Sequence, residues 1–126
     1  MNNLSHDIAA IEESILAKEF SSILNKIDEL LLSNPNHPEL LYLKGVCLLN
    51  TNEVDESLNY FFKAKDLDTK NSNKYNDGIA LVYKKSGDHF SNNDNIDEAR
   101  SLYNKGLELV PKSNLLLLAN ADIEFK

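Results

Sequence analysis

The chain has 126 residues, 42% hydrophobic and 26% charged, a composition that fits one folded domain and excludes an intrinsically disordered segment. Its formal net charge of −7 and its single arginine, Arg100, argue against a nucleic-acid partner, because binding to phosphates needs clustered Lys and Arg. Cys47 is the only cysteine, so no internal disulfide is available, and the spacing of Cys and His offers no zinc site.

Apolar residues recur at helical spacing along the chain, and polar turns interrupt them. A first stripe covers residues 8–16 and a second covers residues 20–31. The segment from Ser33 to Pro38 then ends the helix, because proline has no N–H to donate and restricts the residue before it. Two further stripes cover residues 40–49 and 54–67. No stretch alternates with a period of two for long enough to predict a strand.

Three segments of the chain superpose on one another: EFSSILNKIDELLLSNP, EVDESLNYFFKAKDLDT and NIDEARSLYNKGLELVP. The first and second align so that Ile27 matches Phe61. The second and third align at a larger shift, so that Phe61 matches Tyr103 and Ala64 matches Gly106. The first shift is the length of the tetratricopeptide repeat, about 34 residues, in which a helix, a turn and a second helix form one unit.

On these residues the chain resembles the tetratricopeptide repeat family, from about Leu4 to Pro111. The resemblance implies an all-α fold, a right-handed α-solenoid of three helix-turn-helix repeats plus a C-terminal capping helix, in a single domain over residues 1–126. The repeats would cover about residues 4–37, 38–71 and 72–113, and the terminal helix residues 114–126. The matching positions are Ile23, Ile27, Leu30 and Pro35 in a degenerate first repeat, Leu41, Gly45, Leu48, Ser57, Phe61 and Ala64 in the second, and Tyr83, Gly87, Phe90, Ala99, Tyr103, Gly106 and Pro111 in the third.

The third repeat is eight residues longer than the others. Helical spacing continues unbroken from Ser72 to Asn92, which predicts a first helix extended by about two turns at its N-terminal end. A flexible loop at residues 70–73 is the alternative. A final helix is expected from Leu115 to Phe125, and its four consecutive leucines cannot all point inward. The stretch from Leu115 to Leu118 therefore predicts an apolar patch and a weak homodimer.

The side chains that could take part in catalysis or metal binding are scattered along the sequence. His6, His37 and His89 fall in a chain end, a turn and a helix end, a distribution typical of surface histidines. The polar residues around Asp94 lack the alternating ligands and central glycine of a calcium loop, and turn formation explains them. No phosphate-binding loop or nucleophile motif is present. The sequence therefore predicts a protein that is not an enzyme and uses no cofactor or metal.

The resemblance implies that the first helix of each repeat lines a concave partner-binding surface. Some relatives clamp a C-terminal carboxylate there, but the corresponding positions here include Ile8, Glu12 and Leu43, so that ligand is not expected. A mainly apolar groove with two lysines favours a peptide or helix that has apolar anchors and an acidic residue. The predicted groove residues are Ile8, Glu12, Tyr42, Val46, Leu49, Leu81, Lys84 and Lys85.

The function predicted from these features is that of a protein–protein interaction module, an adaptor or scaffold. A small chaperone that holds an apolar segment of a client, or a self-assembling subunit of a larger complex, remains an alternative. The first residues lack the pattern of a signal peptide, and the longest apolar run, Leu115 to Ala119, is too short to span a membrane. A cytoplasmic location without membrane insertion is therefore expected.

Overall fold

The computed structural model describes residues 4–124, and within that range it contains seven α-helices, one short 3₁₀ helix and no β-strand. The predicted all-α class is therefore confirmed. The α-helices are α1 (Leu4–Leu16), α2 (Phe20–Ser33), α3 (Pro38–Asn50), α4 (Val54–Leu67), α5 (Ser72–Asn92), α6 (Ile96–Leu109) and α7 (Asn114–Ile123), and the 3₁₀ helix is Thr69–Asn71.

Internal contacts divide the chain into two compact units, Met1–Ser72 and Asn73–Lys126. The first unit contains α1 to α4, and the second contains α6, α7 and all of α5 after its first residue. The division falls within one residue of the boundary predicted between the second and third repeats. That the whole chain forms a single domain stays a prediction.

The turns inside the three helix pairs α1–α2, α3–α4 and α5–α6 have the same backbone geometry. Lys18, Asn52 and Asp94 adopt the left-handed conformation, with φ of 62°, 67° and 62°. Their spacing along the chain reproduces the two shifts at which the sequence superposes. Each turn ends in a hydrogen bond to a carbonyl five residues back, a common way of ending a helix. These bonds join the N–H groups of Glu19, Glu53 and Asn95 to the carbonyls of Ser14, Leu48 and Phe90.

Local residues fix where two of the helices begin. Pro38 occupies the first turn of α3, where a backbone N–H would have no partner within the helix. Ser113 caps α7, because its hydroxyl oxygen accepts a hydrogen bond of 3.2 Å from the N–H of Leu116.

The first unit has its core between α1, α2 and α3, and α4 packs against α3. A side chain at Gly45 would collide with Phe61, since a Cβ there would lie 2.7 Å from the aromatic ring. The Ser57 hydroxyl donates to the Gly45 carbonyl oxygen at 2.8 Å. Small residues therefore let α3 and α4 approach closely, as the repeat pattern predicts. The buried core cluster comprises Leu4, Ile11, Ile27, Leu40, Leu43 and Cys47.

The second unit uses glycine in the same way. A Cβ at Gly87 on α5 would overlap the ring of Tyr103 on α6. A Cβ at Gly106 would lie 2.7 Å from side-chain atoms of both Tyr83 and Leu116, so α6 packs closely against α5 on one side and α7 on the other. These contacts fix the positions of the three helices that form the site described below.

The sequence predicts an extended helix at the start of the second unit and a final helix at its end. Residues 72–92 form one continuous helix, so the predicted extension of α5 is confirmed and the alternative of a flexible loop is wrong. The final helix ends at Ile123, and Phe125 lies outside the described residues. Leu116 is fully buried, whereas Leu117 and Leu118 are 48% and 66% exposed, which confirms that the leucines do not all point inward.

Candidate protein-binding groove

Five of the predicted groove residues lie in the first unit, and they differ in how much surface they offer. Ile8 and Tyr42 are half-buried and pack against the buried core cluster. Leu49 is only 7% exposed, so it offers little surface to a partner. Val46 is half-buried and Glu12 is exposed.

The aromatic ring of Tyr42 is also part of the interior. Its centroid lies 5.6 Å from that of Phe61, and the two rings are tilted by 47°. Such a pair stabilises the contact between α3 and α4 beyond the area that it buries. Tyr42 therefore supports the fold of the first unit as well as being a predicted anchor for a partner.

The other three predicted groove residues lie on α5 in the second unit. Leu81 is 46% exposed, Lys85 is exposed, and Lys84 is half-buried. Leu81 lines a cavity of about 420 Å³ whose walls come from α5, from the turn after α6 and from the start of α7. The lining residues are Asp77, Ala80, Leu81, Lys112, Ser113, Asn114 and Leu115.

A second cavity, of about 340 Å³, continues along the same two helices and shares Leu115 with the first. Lys84 of α5 lines it together with residues that the sequence did not single out as groove residues. We name the two cavities together the α5–α7 groove. The residues of the second cavity are Lys84, Asp88, Ser91, Asn92, Tyr103, Leu115, Leu118, Ala119, Asp122 and Ile123.

The α5–α7 groove lies between two helices that run in the same direction. The first cavity takes Leu81 from α5 and Leu115 from α7, and the second takes Asp88 from α5 and Asp122 from α7. The members of each pair are separated along the chain by the same shift that superposes the first two segments of the sequence. The exposed side chains of Leu81 and Leu118 give the groove an apolar surface along its length.

A hydrogen-bonded network occupies the wall of the second cavity. The Lys84 ammonium lies 2.5 Å from Oδ2 of Asp88, and the Tyr103 hydroxyl donates to Oδ1 of Asp88 at 2.5 Å. Burial raises the pKa of Tyr103, and the hydrogen bond to Asp88 and the charges of Asp88 and Asp122 raise it further. Lys84 is thus held in an ion pair, and its charge is largely balanced by Asp88.

A third cavity, of about 310 Å³, lies near the start of α5 and shares Asp77 with the α5–α7 groove. Asn76 lines it, and the side-chain oxygen of Asn76 is buried without a hydrogen-bond partner.

Sequence reasoning identified Leu81 and Lys84 but missed Asp88, Leu118 and Asp122 as members of the same groove. The missed residues had a signal, because Asp88 follows Lys84 by four residues and such pairs meet on one helix face. Asp122 could have been found by moving one repeat length along the chain from Asp88.

The described residues contain no group of three or more His, Cys, Asp or Glu side chains that could hold a metal ion. Among the helices of residues 4–124, none combines the length and the apolar character needed to cross a membrane. No family model matches the sequence, and a search of curated proteins gives no match. The groove itself is therefore the evidence on function.

Proposed function

We propose that the chain is a tetratricopeptide-type protein-interaction module whose α5–α7 groove binds a segment of another protein. The observation that carries the proposal is the groove, with exposed Leu81 at one end and exposed Leu118 at the other. Exposed apolar side chains in a concave surface are a common source of binding energy. The proposal involves no catalytic step and no cofactor, and it places the protein in the cytoplasm as an adaptor or scaffold.

Three regularities support the tetratricopeptide part of the proposal. The helices α2 and α4 begin one repeat length apart and also end one repeat length apart. The turns at Lys18, Asn52 and Asp94 share one geometry. The residues that follow α2, α4 and α6 also share one backbone conformation, since Asn34, Asp68 and Val110 have φ of −137°, −133° and −133°. Repeated local geometry at the spacing of the sequence repeat is what stacked helix pairs require.

The proposal can be tested by selecting random peptides on the whole protein and then measuring their affinity for groove variants. Leu81→Ser and Leu118→Ser remove apolar surface from the groove, and both residues are exposed enough for the fold to tolerate the change. We expect each variant to weaken the selected peptides by about fivefold or more, the scale of a moderate hot spot. Fluorescence anisotropy measures the affinity, and circular dichroism checks the fold.

The matched control is Leu32→Ser, because Leu32 lies on α2 in the first unit and is 85% exposed. This variant makes the same chemical change outside the groove and should leave peptide binding unchanged. Peptides that bind Leu81→Ser and Leu118→Ser as tightly as the parent would place the binding site elsewhere and reject the α5–α7 groove.

Self-assembly is a second candidate function, and one observation favours it. Leu117 and Leu118 are both exposed on α7, so they present adjacent apolar side chains to solvent. Exposed apolar side chains of this kind promote association of copies. Sedimentation of variants of these two residues at several protein concentrations tests this function.

A further inference from the structure

The two ends of the α5–α7 groove differ in charge. At the first end, one carboxylate, Asp77, and one ammonium, Lys112, line the cavity, so its lining has no net formal charge. At the second end, Asp88 and Asp122 face a single lysine, Lys84. The second end therefore has an excess of one negative charge, which is consistent with the overall charge of −7.

The excess charge belongs to Asp122. Both oxygens of Asp88 already accept from Lys84 and Tyr103. Within residues 4–124, no cation lies at ion-pair distance from Asp122, and its carboxylate is exposed. Burial is the main cause of the raised pKa of Tyr103, and the hydrogen bond to Asp88 and the charges of Asp88 and Asp122 raise it further.

Apolar side chains stand directly beside this carboxylate. Leu118 and Ala119 lie on the same helix as Asp122, and Leu115 joins them as a wall of the cavity. An occupant of the second end would therefore meet an apolar surface and an acceptor of positive charge side by side. Long cationic side chains suit such a place, because their carbon chains pack on apolar surface while the charged group reaches a carboxylate.

We infer that the segment bound in the α5–α7 groove carries a lysine or arginine next to an apolar anchor, and that Asp122 receives this cationic group. The inference rests on the proposed function and names the chemistry of the partner. It differs from the acidic partner that the lysines suggested from sequence, because Lys84 is paired with Asp88 and Lys85 is not among the residues that line the groove. Charge complementarity at this position selects basic segments over acidic ones and speeds their association.

The test is a peptide selection on three forms of the whole protein: the parent, Asp122→Asn and Asp66→Asn. Asp66 lies exposed on α4, so Asp66→Asn makes the same change in net charge outside the groove. Clones that depend on the groove are those that Leu118→Ser weakens. Among these clones, we expect Lys and Arg to be more frequent than in the unselected library when the selection is made on the parent or on Asp66→Asn. We expect no such enrichment when the selection is made on Asp122→Asn.

One selected peptide then gives the affinity change. Replacing its cationic residue by Gln should weaken binding to the parent about three- to tenfold at about 150 mM salt and should leave binding to Asp122→Asn unchanged. Groove-dependent clones without basic enrichment, or an equal loss on Asp122→Asn and on the parent, would overturn the inference and leave the proposed function standing. If no clone depends on the groove, the proposed function itself fails.

Discussion

The helix pairs α3–α4 and α5–α6 pack through the same kind of contact, but they differ in the polarity of the side chains around that contact. In both pairs a glycine lets an aromatic ring of the second helix lie against the first helix. Around that contact, three positions of α3–α4 correspond in α5–α6 to Lys84, Asp88 and Tyr103, which are joined by an ion pair and a hydrogen bond. When the second and third repeats are superposed, the equivalent residues are Gly45 and Gly87, Tyr42 and Lys84, Val46 and Asp88, and Phe61 and Tyr103.

The difference shows that the residues at the helix contact and the residues beside it have separate roles. The small and large residues set how closely the helices approach, so Gly45 with Phe61 and Gly87 with Tyr103 are structurally alike. The neighbouring positions decide what the surface beside the contact can bind. In α3–α4 this surface is closed by Tyr42 packing on Phe61, whereas in α5–α6 the polar counterparts form the wall of a groove.

The largest expected effect is at the aromatic position of the apolar pair. Phe61 is fully buried, so Phe61→Ala should lower the free energy of unfolding by about 3–5 kcal/mol through lost burial and a cavity. Urea denaturation followed by circular dichroism measures the change. Leu67→Ala on the same helix is the control, because Leu67 is 46% exposed and its loss should matter little. Similar losses for the two variants would mean that Phe61 does not hold α3 and α4 together.

The next prediction exchanges the chemistry of the two pairs. Tyr103→Phe removes the donor to the Asp88 carboxylate and should cost about 1.5–3 kcal/mol, the usual scale for a hydrogen bond to a charged group. Phe61→Tyr places a hydroxyl where Val46 offers no acceptor, and should cost about 1–3 kcal/mol. Denaturation of both variants measures these values. If either exchange is neutral, the polar network of α5–α6 is not what distinguishes the two pairs.

The sequence predicted the shared packing and missed the contrasting chemistry. Helical spacing was enough to predict the 21-residue α5, and small residues such as Gly45 and Gly106 marked the close contacts. The spacing of Lys84 and Asp88 indicates their ion pair, but the sequence does not show that the Tyr103 hydroxyl from another helix also binds Asp88, or that these residues line a cavity. Leu49 is a predicted groove residue but is buried, since the apolar face of α3 is wider than one stripe.

Raising the pH into the alkaline range should lower the stability of the fold by a smaller amount, through a thiol on α3. Burial raises the pKa of the Cys47 thiol on α3 to about 11, above the value of about 8.5 for an unperturbed thiol. The folded state therefore prefers the neutral thiol, and the stability that this provides is complete below about pH 8.5 and is lost as the pH rises toward 11. We expect the parent to lose about 1–2 kcal/mol between pH 8 and pH 10 from this thiol.

Cys47→Ala isolates this contribution, because it removes the titrating group and leaves the tyrosines in place. Its urea midpoint should be lower than that of the parent at pH 8 and should fall less steeply between pH 8 and pH 10. Burial also raises the pKa values of Tyr83 and Tyr103 in the second unit, so some alkaline loss should persist in the variant. Equal slopes in the parent and Cys47→Ala would show that the thiol ionises as easily in the folded chain as in the unfolded one.

The smallest expected effect concerns two exposed leucines of α7, Leu117 and Leu118, of which Leu118 also lines the α5–α7 groove; every leucine of α3 is buried. Leu117 and Leu118 are exposed, so Leu117→Lys and Leu118→Lys should change the free energy of unfolding by only about 0.5 kcal/mol or less. They should nevertheless abolish weak self-association, because each places a charge in the apolar patch that a second copy would cover. Leu116→Lys is unsuitable for this test, since Leu116 is fully buried and a charge there would unfold the unit.

Sedimentation equilibrium at several concentrations measures the association, with Leu32→Lys on α2 as the matched exposed control. A parent that is monomeric at every concentration, or variants that associate as strongly as the parent, would exclude α7 as a contact between copies and leave its leucines to the partner segment alone.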